Sequence, residues 1–102
     1  MLTVSTIAPA AEAKLGLTPS KARLLAMLIA ANGEPVAVEA LQAARPDDRS
    51  NDPNGTTLRR LVFDTRAALH TAGVHGVICT VYRSGYCVPA AAAERVLKVL
   101  AP

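Results

Sequence analysis

Four arginines carry most of the chemistry in this chain of 102 residues: Arg59, Arg60, Arg66 and Arg83. Each guanidinium is planar, permanently charged and forked, and its N–H donors match phosphate oxygens or the O6/N7 edge of guanine. Asp64 is the only acid among residues 56–88, so the whole net charge of +3 resides there; the basic and acidic side chains elsewhere cancel. Positive charge gathered on one unit is the footprint of a polyanionic partner. On charge alone, a solvated helix face with scattered arginines reads equally well.

The other reactive side chains form no recognisable set. His70, His75, Cys79 and Cys87 are metal-ligand types, but their spacing matches no standard zinc pattern. No metal and no cofactor is therefore expected. Cys79 and Cys87 fall on opposite strands and read as small, buried, apolar residues; a disulfide is the alternative if the strands align. Asp47, Asp48 and Asp52 lack the spacing and closing Glu of a calcium loop. No nucleophile–base set, phosphate loop or zinc-hydrolase motif is present, which argues against an enzyme. Three aromatic residues (Phe63, Tyr82 and Tyr86) are too few for a single-strand stacking platform.

The elements that must position the arginines follow from periodicity and punctuation. Thr18 is a good N-cap and Pro19 suits the first helical position; Leu24, Leu25, Leu28 and Ile29 recur at helical spacing until Asn32-Gly33 supplies a left-handed stop. A shorter helix is predicted over 38–44, with Val38 and Leu41 inward, Ala37 as a poor cap and Pro46 beyond its end. Residues 45–55 form a polar, turn-rich loop. A third helix spans 57–72, capped by Thr56 or Thr57 and ended by Gly73. Its wheel places Leu58, Leu61, Val62, Thr65, Ala68 and Leu69 inward, and Arg59, Arg60, Phe63, Ala67 and His70 outward, with Arg66 on the flank.

Residues 77–88 read as two short strands with Ser84-Gly85 at or beside the turn. Residues 89–102 form an amphipathic helix in which Val96, Leu97, Val99 and Leu100 join Ala92 and Ala93 on the apolar side. Residues 1–14 show no clear period and read as a flexible tail or a short N-terminal strand near 3–7. With 51% hydrophobic residues the chain can bury a core. The expected fold is mainly α with a small β-hairpin wing (α+β): a winged helix-turn-helix over 15–88, with a three-helix core plus an extra C-terminal helix. No apolar run is long enough to span a bilayer and no secretory signal stands out, so a cytoplasmic location without membrane contact is expected.

The residues Leu17-Thr18-Pro19, Leu24-Leu25-x-x-Leu28, Gly33-x-x-Val36, Glu39-x-Leu41, Arg66-x-x-Leu69 and Ile78-x-Thr80-Val81-x-x-x-Gly85-Tyr86 carry a resemblance. The chain resembles the OmpR/PhoB-type winged-helix effector domain of bacterial response regulators, over about residues 15–88. It reads as a stand-alone or divergent relative without a receiver domain, or as an excised domain. The resemblance implies a transcriptional regulator whose third helix reads the DNA major groove, whose preceding loop touches RNA polymerase and whose wing contacts the minor groove. By position, Arg59, Arg60, Phe63, Arg66 and Ala67 would face DNA. Where such wings carry an Arg just after Thr-Val, this chain has Tyr82, with Arg83 one place later.

The expectation is a sequence-specific regulator of duplex DNA, bacterial and nucleoid-associated. Its candidate contacts are Thr57, Arg59, Arg60, Phe63, Arg66, Ala67, His70 and Arg83, with Asp47, Asp48 and Arg49 in a candidate polymerase-contact loop. A single small module rarely reaches useful specificity, so a homodimer is expected, with Val96, Leu97, Val99 and Leu100 as its candidate helix; core closure is the alternative role for that helix. The rival reading is a protein-interaction module that binds RNA polymerase or another regulator.

Overall fold

A computed structural model of the protein describes residues 3–43 and 56–100. Its elements in chain order are α1 (Val4–Leu15), α2 (Pro19–Ala30), α3 (Val38–Ala43), α4 (Thr56–Thr71), β1 (Cys79–Val81), β2 (Gly85–Cys87) and α5 (Ala90–Leu100). The mainly helical architecture with one small hairpin is that of a winged-helix α+β fold.

Helix α2 is the centre of the molecule. Ala22, Leu24, Leu25, Ala26, Leu28 and Ile29 are all buried, so it is covered on more than one side, and it packs against α1, α4 and β2. Leu25 and Leu28 have no exposed surface, and burying each contributes on the order of 1.5–3 kcal/mol. Pro19 opens the helix as its sequence position suggests. Thr18 holds the extended N-cap conformation but makes no side-chain capping bond. The Asn32-Gly33 stop is present: both residues have positive φ, +56° and +90°, which turns the chain out of the helix.

Helix α4 presents the inward face its periodicity demands. Leu58, Val62, Thr65 and Leu69 are buried, with Leu61 and Ala68 half-buried beside them. The hydroxyl of Thr65, the one buried polar side chain among the described residues, donates to the Leu61 carbonyl at 2.7 Å. The helix ends in a Schellman turn: Val74 N–H donates to the Leu69 carbonyl at 2.9 Å and Gly73 N–H to that of His70 at 3.0 Å. Val74 and Leu69 are both buried, as the hydrophobic contact of that motif requires.

The hairpin pairs Cys79 with Cys87, Thr80 with Tyr86 and Val81 with Gly85. Ser84 N–H donates to the Val81 carbonyl at 2.9 Å, so Tyr82 and Arg83 occupy the middle of the turn and Gly85 already belongs to β2. Tyr86 also bridges to Val36, with N–O distances of 2.8 and 3.1 Å. The segment between α2 and α3 thus adds one more rung beside β2.

The N-terminal expectation is corrected. Residues 4–15 are neither tail nor strand but helix α1, which packs on α2 and α5 with Ile7 and Ala11 buried. Val4, Ile7, Ala8, Ala11 and Leu15 do recur at helical spacing, but four of the five are small or β-branched and Pro9 interrupts the run. Alanine's high helix propensity and tertiary burial outweigh the interior proline. Helix α5 covers the same side of the core, burying Ala92, Ala93, Val96 and Leu100.

Candidate nucleic-acid interface

The outward face of α4 carries Arg59, Arg60, Phe63, Ala67 and His70, all exposed. Phe63 is 65% exposed, a large apolar ring on a cationic face. Thr57 lies in the first turn of the helix. Asp47, Asp48 and Arg49 lie outside the described residues.

The arginines do not play equivalent parts. Arg59 lines a groove of about 370 Å³ between the start of α3 and the wing, shared with Glu39, Thr80, Tyr82 and Arg83. Arg60 leans back along the helix, its Nε 3.2 Å from an Asp64 oxygen, while Lys21 Nζ of α2 stands 3.8 Å from the same carboxylate. Exposed pairs of this kind are weak, so Arg60 can swing away at small cost.

Arg66 has partners within the chain. Its Nε and Nη2 donate to the Ile78 carbonyl at 3.2 and 3.0 Å, and Nη2 also donates to Thr80 Oγ1 at 2.9 Å. The side chain on the flank of α4 therefore ties the helix to β1 and fixes where the wing stands. A helical wheel gives direction around the axis but not sideways reach to a neighbouring strand, so this role is invisible in the sequence.

Arg83 occupies the turn at φ +64°, an uncommon conformation for a side chain other than glycine. Its guanidinium carbon lies 5.2 Å from the centre of the Tyr82 ring, a cation–π pair, and Tyr82 is 81% exposed. Tyr82 was no candidate contact on sequence grounds; its replacement of the expected Arg was the available signal. The wing tip offers an aromatic ring and a cation side by side.

The residues that carried the resemblance are structural ties. Gly85 has φ +124°, and a Cβ there would collide with the Val36 carbonyl. Tyr86 makes the Val36 bridge, Thr80 and Ile78 accept from Arg66, and Leu69 is core.

His70 is turned towards the C-terminal end of α4, where its Nδ1 is 2.7 Å from Nδ1 of His75. That bond requires one ring to accept as the neutral form. Among the described residues no group of three or more His, Cys, Asp or Glu side chains converges on one point. Cys79 and Cys87 are free thiols, both half-buried rather than fully buried. In α5, Val96 and Leu100 are buried in the chain's own core and Leu97 and Val99 are half-buried. That leaves only part of the candidate dimer face accessible. No described helix is long and apolar enough to cross a membrane.

A family model described as "Transcriptional regulatory protein, C terminal" matches residues 12–88. The match spans the end of α1, the α2–α4 core and the whole wing. No curated protein and no solved structure matches the chain.

Proposed function

The chain belongs to the family of transcriptional regulatory protein C-terminal domains, a DNA-binding family, and on that footing we propose that it binds duplex DNA sequence-specifically through α4 and the wing together. In this reading α4 enters the major groove. Arg59 and Arg60 reach guanine edges or phosphates, and Phe63 and Ala67 meet apolar base surface such as thymine methyls. Thr57 and the start of α4 meet the backbone, and His70 flanks it. Arg83, with Tyr82 beside it, lies against the adjacent backbone or minor groove, where a narrow groove concentrates negative potential.

The observation that carries the reading is the shared groove: Arg59 of α4 and Tyr82–Arg83 of the wing line one continuous concavity. Arg66 holds its two sides in register. Self-association, where DNA half-sites demand it, would draw on Leu97 and Val99 of α5, the less buried pair of the candidate face.

A second reading is supported by the exposure of Phe63 and Tyr82, which would suit docking on RNA polymerase or another regulator. Amide chemical-shift mapping with a promoter duplex separates the two. The DNA reading expects shifts along the outer face of α4 and at residues 82–84, with α1 and the outer face of α5 unmoved. Shifts confined elsewhere, or none at low salt, would favour the protein-partner reading.

A further inference from the structure

We propose that Cys79 and Cys87 form a reversible dithiol–disulfide site at the base of the wing, oxidised by low-molecular-weight disulfides such as oxidised glutathione. The two cysteines are direct cross-strand partners in the hairpin register, so both side chains leave the same face of the sheet. Both are free and half-buried.

The geometry also accounts for reversibility. Tyr86 directs both its N–H and its C=O to Val36, so by alternation its neighbours Gly85 and Cys87 direct theirs towards β1. Cys79 and Cys87 are therefore a hydrogen-bonded pair, for which Cα atoms stand about 5.5 Å apart. That lies within the range a disulfide tolerates, but the Cβ atoms must draw together to about 3.8 Å. A bond formed here pulls the strands inward and is easily reduced, the behaviour of labile rather than structural disulfides.

The step is a two-electron exchange. The thiolate of one cysteine attacks the glutathione disulfide, forming a mixed disulfide and releasing one glutathione thiolate. The second cysteine loses its proton and attacks the protein-side sulfur. The intramolecular S–S bond forms, and the second glutathione thiolate leaves. The two protons lost by the protein end on the two glutathione thiols. Burial, and then the neighbouring Cys79, hold the Cys87 thiol above its ordinary range, which keeps its thiolate scarce.

Cys79 sits between the two residues that receive Arg66, Ile78 and Thr80. Drawing Cys79 towards β2 shifts both acceptors, so oxidation loosens the tie between α4 and the wing. The consequence for DNA rests on the function proposed above: the oxidised form binds a promoter duplex several-fold more weakly.

Trypsin makes the chemistry readable, because Arg83 separates the cysteines and cleavage yields residues 67–83 and 84–95 as distinct peptides. The whole protein is equilibrated in glutathione buffers of increasing oxidised fraction, quenched with acid, alkylated and digested. The expected result is the two peptides joined to each other within one monomer, separated again by reduction. Cys79→Ser and Cys87→Ser should give only glutathione adducts. Adducts without the joined pair in the parent, or joined pairs only between monomers, would overturn the site. A duplex titration of the oxidised and reduced forms follows. Equal affinities would overturn the coupling to the wing, whereas loss of DNA binding by both forms would overturn the functional reading and leave the disulfide result standing.

Discussion

Arg66 grips Ile78: two of its guanidinium nitrogens donate to the Ile78 backbone carbonyl at 3.0 and 3.2 Å, and one reaches on to the Thr80 hydroxyl at 2.9 Å. One side chain thereby joins the helix that carries the cationic face to the hairpin that carries the cationic tip. Arg66→Met removes the charge-assisted bonds and keeps most of the apolar stem. Because the site is partly solvated, the loss of stability should be about 1 kcal/mol, while duplex affinity falls by about tenfold or more through loss of wing placement. Chemical denaturation beside a DNA titration checks both. A large stability loss with unchanged affinity per folded molecule would mean that the tie is purely structural.

Gly85 meets a stricter demand. Its φ of +124° and the closeness of the Val36 carbonyl leave no room for a side chain. Gly85→Ala must move Val36 away, break the Val36–Tyr86 bridge and strain its own backbone. The expected cost is about 3 kcal/mol, read as a lower urea midpoint. A cost below about 0.5 kcal/mol, the range of ordinary surface changes, would contradict the packing described.

Much of this arrangement was legible in the sequence. The inward face of α4 follows from Leu58, Val62, Thr65 and Leu69 alone, and the stops at Asn32-Gly33 and Gly73 from glycine's access to positive φ. Helix α1 was not legible, because alanine is a weak marker of a buried face and Pro9 argues against a helix interior. The roles of Arg66 and Gly85 depend on contacts across 12 or more residues of sequence, to Ile78 and Val36; local periodicity cannot encode these. The resemblance did mark both positions, without saying why.

Phe63 and Tyr82 are exposed and outside the core. Phe63→Ala and Tyr82→Ala should each leave the thermal midpoint nearly unchanged, with stability within about 0.5 kcal/mol of the parent, yet weaken partner binding. Thermal scans with a duplex titration test this. A marked stability loss would place either ring in a packing role.

The Cys87 thiol is raised above its ordinary value of 9.0, first by burial and then by charge and hydrogen bonding with Cys79. The folded chain therefore keeps a proton that the unfolded chain releases. The associated stability is fully present below the ordinary thiol range and is lost as pH rises through the folded value. Under reducing conditions the parent should lose stability more steeply than Cys87→Ala as pH climbs above about 8.5. Parallel slopes would contradict the shift.

Val96 is fully buried in α5. Val96→Ala should cost about 2 kcal/mol through the cavity it leaves, with no change of molar mass by light scattering. A change of oligomeric state without loss of stability would instead assign Val96 to an interface between copies.

Fluorescence anisotropy with random-sequence and promoter duplexes across a salt series decides most directly whether α4 and the wing form one DNA surface. The expected result is binding that weakens steeply with salt, with an Arg59→Ala/Arg60→Ala double variant binding more weakly and its log–log salt slope flatter by about 2. Binding that ignores salt, a variant indistinguishable from the parent, or no binding at low salt would contradict it and turn attention to Phe63 and Tyr82 as a protein-docking surface.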